Sequence, residues 1–315
     1  MIAAVTCFFN PMKQQLRLDN YHNFHRNIAL EGIELYTAEL AFNDDEFQLS
    51  KKDADHLLQI KSSGVMWQKE RLLNIILESL PQNIDKIIWI DSDIIYPVSG
   101  WSKRISDKLE EHSLIQPYTW AVGLPKCELS NPHNGNWINY NCYGAGNIRK
   151  SFCYYACHRD TYPNLWGGHV GYVWAARREL LDKHKFYDVI ITGAGDLFIC
   201  YAAWGMFAAL DRTPYLETLS QKACNHWFSW GLPFYLDVKK DGGPSYTEDI
   251  IIHLWHGDIS NRNYLQYSEC LSTCHFDPDS DLELGDDKCW RWKRKNYWLH
   301  DSVRNILSRS TVEKP

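Results

Sequence analysis

Nowhere does the chain carry an apolar run long enough to span a bilayer, which excludes an integral helical membrane protein as the reading of these residues. Its first apolar stretch, Ile2 to Phe9, has no basic region before it and stops at Asn10-Pro11, so it predicts a first strand rather than a secretory leader. Internal repeats and low-complexity tracts are also missing. The ten cysteines include no Cys-x-x-Cys pair. Cys153 and Cys157, and Cys270 and Cys274, are four apart, with His158, His275 and Cys289 nearby, but these spacings do not match common zinc motifs. Reduced free thiols of a cytoplasmic protein are therefore expected. The acidic run Asp277, Asp279, Asp281, Glu283 lacks the Gly and Glu of a calcium loop, since Leu282 and Lys288 stand there, and predicts a solvated acidic loop. A formal charge of −6 speaks weakly against a nucleic-acid partner, although a local basic patch matters more than the total.

What is present suits a layered α/β protein. Of 315 residues, 45% are hydrophobic, enough for a substantial core in one large or two closely joined domains. Strand signals at Ile2–Phe9, 32–42 and Lys86–Ile90 alternate with a helical stripe of Leu72, Leu73, Ile76, Leu77 and Leu80, whose other face carries Lys69, Glu70, Asn74 and Glu78. Pro81 ends that helix. Further expected elements are a helix at 102–111, a strand at 114–120, regular structure from 171 to 174, a short helix around 175–181, an apolar helix at 197–210 and a buried strand at 250–255. Between 125 and 166 the composition turns to Asn, Gly, Tyr, Cys and Trp without periodicity, which predicts long loops.

Three clusters carry chemistry. Directly after the buried run Lys86–Ile90 come Asp91-Ser92-Asp93, at the strand end where ligands of open α/β sheets bind. In extended chain the two carboxylates share a side, and two such donors plus water suit Mg²⁺ or Mn²⁺ bridging a diphosphate. Gly193-Ala194-Gly195-Asp196 places a carboxylate at a helix start, as a cap or as a general base on an acceptor hydroxyl. His253-Leu254-Trp255-His256-Gly257, followed by Asn261, Arg262 and Tyr264, ends another buried strand. A neutral imidazole there can complete a metal shell, His256 before His253 because the latter lies deeper in the apolar run. Gly257 would let a phosphate approach, and Arg262 would neutralise a leaving diphosphate.

The ordered set of Trp67-Gln68-Lys69-Glu70-Arg71, Trp89-Ile90-Asp91-Ser92-Asp93, the run from Gly171 to Arg177, Gly193-Ala194-Gly195-Asp196 and the His253 cluster resembles metal-dependent GT-A glycosyltransferases, particularly those of tailed phages. The resemblance covers roughly residues 1–265. It implies a GT-A-like, Rossmann-like fold with a mixed, mostly parallel sheet flanked by helices, and a UDP-sugar donor. Asp93 would bind the metal, with Asp91 near the ribose or the metal's waters and His256, or His253 as substitute, joining it. Asp196 would be the base, and Phe8 and Asn10 would lie beside the nucleotide. One acidic residue stands in the turn where many inverting members carry two. Three segments are expected: 1–125 binding the nucleotide-sugar, 126–265 binding the acceptor, and 266–315 as a basic-aromatic extension.

An aspartate-nucleophile phosphohydrolase ranks lower. Ile95 stands where that class has Thr or Val, and Cys200 where its second acidic motif ends. For the acceptor, the tail from Trp290 to Trp298 interleaves rings with Arg291, Lys293, Arg294 and Lys295, and Arg149 to Arg159 repeats the mixture, a combination that stacks bases and neutralises phosphates. Combined with the phage resemblance, this predicts hydroxymethylated cytosine in DNA, with Trp174, Arg149, Arg291 and Lys293 at the acceptor. The alternatives are a surface glycan or protein as acceptor, or a nucleic-acid-binding module without activity.

Overall fold

The computed structural model describes residues 1–124, 148–162, 165–208, 216, 219–257 and 264–309. Its centre is a seven-stranded sheet in the order β10-β6-β9-β4-β1-β2-β3. These strands are β1 (Ile2–Phe8), β2 (Glu34–Phe42), β3 (His56–Ser62), β4 (Lys86–Ile90), β6 (Leu114–Gln116), β9 (Val173–Arg177) and β10 (Ser245–Tyr246). All neighbours run parallel except β9, which is antiparallel to both β4 and β6. Strands of 1–125 and of 126–265 thus share one sheet. The architecture is a mixed, mostly parallel α/β sheet with helices packed on it, the class expected from the sequence.

A second sheet, β5-β11-β7-β8, joins β5 (Ile94–Ile95), β7 (Trp120–Gly123), β8 (Ile148–Lys150) and β11 (Ile250–His253). β5 follows the aspartate triplet directly and pairs antiparallel with β11, setting His253 opposite Ile94. Near the C-terminus β12 (Leu282–Leu284) and β13 (Trp290–Trp292) form a hairpin.

Several elements depart from the sequence reading. The expected strand at 114–120 is two strands in two sheets, separated by Pro117, Tyr118 and Thr119. Ala175 and Ala176 belong to β9, opposite Ile88 and Ile87 of β4, so the following helix runs Arg178–His184. Helix α1 (Gln15–Glu31) was not foreseen, because its buried face alternates Asn20, Asn23 and Asn27 with Tyr21, Phe24 and Ile28. The Asn27 amide is matched at both ends: it donates to the Tyr96 carbonyl (2.9 Å) and accepts from the Tyr96 N–H (2.9 Å). Helix α2 (Lys69–Ser79) is buried all round its first turns, Lys69, Glu70, Arg71 and Asn74 included, where a solvated face was expected. The segment after the Arg178–His184 helix covers that face. Asn74 Nδ2 donates to the Phe186 carbonyl (3.0 Å) and to Asp188 (2.8 Å), and Arg71 pairs with Asp188 (3.0 Å).

Candidate active site

Strand β4 delivers Asp91 and Asp93 to the carboxyl edge of the main sheet, but to different partners. The chain turns at Ser92, with the Ile94 N–H on the Asp91 carbonyl (3.1 Å), and both carboxylates line the same cavity. Asp93 joins the second sheet: its carbonyl accepts from the Leu254 N–H (2.9 Å), and its Oδ2 lies 3.2 Å from His256 Nε2 and 3.7 Å from His253 Nε2. The two imidazole nitrogens are 3.1 Å apart. Among the described residues, Asp93, His253 and His256 are the group whose donor atoms converge, all within 4.8 Å of one another. One carboxylate oxygen and two imidazole nitrogens directed at a shared point fit a divalent first-row cation, and the mixed donor set suits Mn²⁺ better than Mg²⁺.

Asp91 belongs to a second cluster. Its Oδ1 is 2.6 Å from Lys69 Nζ, which also donates to Asp196 Oδ2 (3.1 Å). Burial works against the charge of Lys69, but Asp196, Asp91 and Glu70 outweigh it and hold its pKa well above the usual lysine range. Burial pushes the Asp91 carboxyl up to about 6, Lys69 pulling it down and Asp196 and Asp93 pushing it further up. Glu70 is pushed by burial to about 8, against the pull of Lys69. A β-carbon on Gly195 would lie 2.0 Å from Glu70 Oε1, so Gly195 is required for the Glu70 carboxyl to rest against the helix start.

That helix, α6 (Gly195–Ala203), has Ala194 at its N-cap with no side-chain cap bond, and the Asp196 carboxylate in its first turn accepts from Lys69. The turn before it is wound tightly: Gly193 has φ 99° and Ala194 φ 71°, and Gly193 packs on the Trp67 ring. The Trp67 N–H on the Ile191 carbonyl (2.9 Å) ties this turn to the entry of α2. Opposite, Tyr172 also holds a positive φ, 81°, and its ring stacks on His169 at 3.7 Å. Gly171 leaves space for Asp196 Oδ2, which a β-carbon there would meet at 3.1 Å.

Both clusters open into one cavity of about 540 Å³. Arg17 and Asn20 of α1, Trp67, Tyr172 and Arg149 line it with them. Phe8 lines it too, while Asn10 is buried and anchors the loop after β1, its amide on the Gln14 carbonyl (2.9 Å) and Gln48 (3.0 Å). Gly257 has φ 119°, and Arg262 lies outside the described residues. Trp174 is fully buried, its Nε1–H on the Val170 carbonyl (2.8 Å) and its ring stacked on Trp89, which makes it core and removes it from any acceptor surface.

Arg291 and Lys293 do not line the cavity. Arg291 pairs with Glu283 (3.4 Å) and Lys293 donates to the Asp279 carbonyl (3.2 Å), both within the C-terminal hairpin region. The acidic run there is solvated only in part: Asp277 caps the short helix Pro278–Asp281 and buried Asp281 pairs with Arg294 (2.7 Å), while Asp279 and Glu283 are exposed. The eight described cysteines are free thiols. Sequence reasoning missed Lys69, Glu70, Arg17, His169 and Tyr172. The available signal was three charged residues in a row at the start of an otherwise apolar helix, immediately after Trp67-Gln68.

No family model and no curated protein matches this chain. Solved structures similar to it include glucosyl-3-phosphoglycerate synthase from Mycobacterium tuberculosis in complex with Mn²⁺, UDP and glucosyl-3-phosphoglycerate, 14% identical, covering 90% of this chain and 83% of that one, with a TM-score of 0.44. TarS from S. aureus in complex with UDP-GlcNAc is 8% identical, covering 98% of this chain and 72% of that one, with a TM-score of 0.41. At such identities and superpositions these likenesses carry no argument about chemistry, which rests on the chain's own residues.

Proposed function

We propose that the cavity is the active site of a glycosyltransferase that moves a sugar from a UDP-sugar to a hydroxyl acceptor with a divalent metal. One observation carries the reading: the Asp93, His253 and His256 donors and the Asp196–Lys69–Asp91 cluster face the same cavity. Asp93, His253 and His256 would hold Mn²⁺, which when bound supplies Lewis-acid stabilisation of a leaving diphosphate. Arg17 offers a guanidinium on the same wall, the kind of group that matches phosphate oxygens. Asp196, partly exposed to the cavity, would take the proton of the acceptor hydroxyl, and Lys69 holds its carboxylate in place. The resemblance of the sequence motifs to metal-dependent GT-A enzymes supports the same assignment.

Incubation with a panel of UDP-sugars and Mn²⁺ should release UDP, slowly to water and faster with a matched acceptor. Asp196→Asn should keep UDP binding and lose transfer by about a hundredfold or more. No UDP release from any member of the panel would sink the reading.

For the acceptor, hydroxymethylated cytosine in DNA rests on the phage resemblance and on Arg149 at the cavity. The engagement of Arg291, Lys293 and Arg294 with their own hairpin region takes away the basic tail that it also drew on. Mass spectrometry of hydroxymethylated DNA, plain DNA and glycan acceptors after incubation decides between them.

A further inference from the structure

Arg149 is a cation of the catalytic cavity that none of the cavity's acids engages. Asp91 and Asp196 are committed to Lys69, and Asp93 lies against His253 and His256. Arg149 has no ion-pair or side-chain hydrogen-bond partner among the described residues. We infer that Arg149 meets a phosphate or carboxylate carried by the acceptor, and that Lys150, clamped behind it, is the positioning residue that aims it. The inference rests on the transfer reading, because it takes the Asp196 side of the cavity as the acceptor's side. Strand pairing fixes where the two neighbours point. In β8 Lys150 lies opposite Trp120 of β7, and Arg149 opposite Ala121, which in turn lies opposite Ile251 of β11. Opposed residues share a face and successive residues alternate, so Arg149 is on the face that carries His253 and Lys150 is on the other.

On that other face the Lys150 ammonium is held by three segments at once. Its Nζ sits 4.5 Å from the Trp120 ring centroid, 4.1 Å from that of Tyr154 and 4.6 Å from that of Tyr162, and it donates to the Tyr162 hydroxyl (3.0 Å). Trp120 belongs to β7, Tyr154 to the helix Phe152–Cys157 and Tyr162 to the turn beyond it, and His158 braces the cage by stacking on Tyr154 at 4.4 Å. β8 is a three-residue strand at a sheet edge, so a cation drawn to three rings helps set where its backbone stands. That backbone reaches the Asp196 side. The Lys150 carbonyl accepts from the His169 N–H (2.9 Å), and a β-carbon on Gly171 would meet both His169 Cε1 (3.3 Å) and Asp196 Oδ2 (3.1 Å). The donor's side lies elsewhere. Asn20 donates to the Trp255 carbonyl (2.9 Å), between His253 and His256, and Arg17 stands one turn before it on α1. β11, which carries His253, is two strands from β8, roughly 10 Å across the sheet. A diphosphate met by the metal and Arg17 therefore leaves Arg149 to the acceptor.

Calorimetric titration of the full chain with inorganic sulfate, a tetrahedral dianion, tests this, both on the free protein and on protein saturated with UDP and Mn²⁺ so that the donor's side is filled. Sulfate should bind in both states. Arg149→Gln should weaken it about tenfold or more and leave UDP affinity unchanged. Lys150→Met should weaken sulfate several-fold, with far-UV circular dichroism and UDP affinity as in the parent. Lys150→Arg keeps a cation among the rings and should restore most of the loss. If Lys150→Met does not fold, Tyr162→Phe, which takes only a hydroxyl from the cage, carries the same comparison. Sulfate affinity indifferent to Arg149→Gln would mark an adventitious ion only, and lost UDP affinity in Arg149→Gln would assign the arginine to the donor. Unchanged sulfate affinity in the cage variants would reduce Lys150 to packing. Each of these overturns the inference. UDP that fails to bind while sulfate still depends on Arg149 and Lys150 would instead sink the transfer reading and leave the anion site standing.

Discussion

Lys69 bridges two carboxylates that come from opposite ends of the chemistry, Asp91 at the end of β4 and Asp196 at the start of α6. Replacing it by Met keeps its length but leaves both acids facing each other without a counter-charge. Lys69→Met should lower the urea midpoint, at a cost below the roughly 3–5 kcal/mol of a fully buried broken pair. The discount reflects the 31% and 20% of side-chain surface that Asp91 and Asp196 retain. An unchanged midpoint would show that the bridge adds nothing. Glu70, beside it, gives a pH prediction. Its folded pKa of about 8 lies above its unfolded value, so across that interval the native state binds a proton that the unfolded chain lacks. Stability should therefore fall as pH rises from about 5 to about 8, and Glu70→Gln should lose the part of this slope above about 6, where Asp91 no longer contributes. Equal slopes in both proteins would place the Glu70 carboxyl in an ordinary, ionised state. The sequence marked Asp91, Asp93, Asp196 and the histidines because each follows an apolar run or a glycine turn. It hid Lys69 and Glu70, since a charged pair at a helix start reads as its solvated face until something covers it.

Pairing between elements sets which of these side chains meet. Register between β5 and β11 places His253 beside Asp93, and nothing local to either segment specifies that pairing. Likewise α1 was illegible because its buried positions carry asparagine, and the helix Gln221–Lys240 because it contains Gly231 and Pro233, which read as breakers. Gly231 is needed there: a β-carbon would lie 2.8 Å from the Phe207 ring. At the site α2 comes close to α6 where Glu70 rests against Gly195. Gly195→Ala should force the helices apart and destabilise by roughly 1–3 kcal/mol, as overpacking does. Adding Glu70→Ala should recover most of that loss, a coupling read from urea midpoints in a double-mutant cycle. Additive losses would mean that the two residues do not press on each other.

At the scale of the whole molecule, the C-terminal segment closes back on the N-terminal one. Trp290 exchanges backbone hydrogen bonds with the Gln68 side chain, at 2.7 and 3.2 Å, and its carbonyl sits where a β-carbon on Gly64 would be, 2.1 Å away. This hairpin braces the entry of the helix that carries Lys69. A tail of alternating rings and cations gives no sign, as sequence, of whether it grips a ligand or its own chain, and here acids of the same segment engage Arg291 and Arg294. The fold class was legible because alternating apolar strands and an amphipathic helix dictate it. The antiparallel placement of β9 was not, because it depends on the whole order of the sheet.

Calorimetric titration of UDP with Mn²⁺ and again with EDTA, on the parent and on Asp93→Ala, bears most directly on the site as a whole. The account predicts UDP binding that requires Mn²⁺ and is lost in Asp93→Ala. Equal UDP affinity with EDTA, or metal-dependent binding that survives Asp93→Ala, would contradict it.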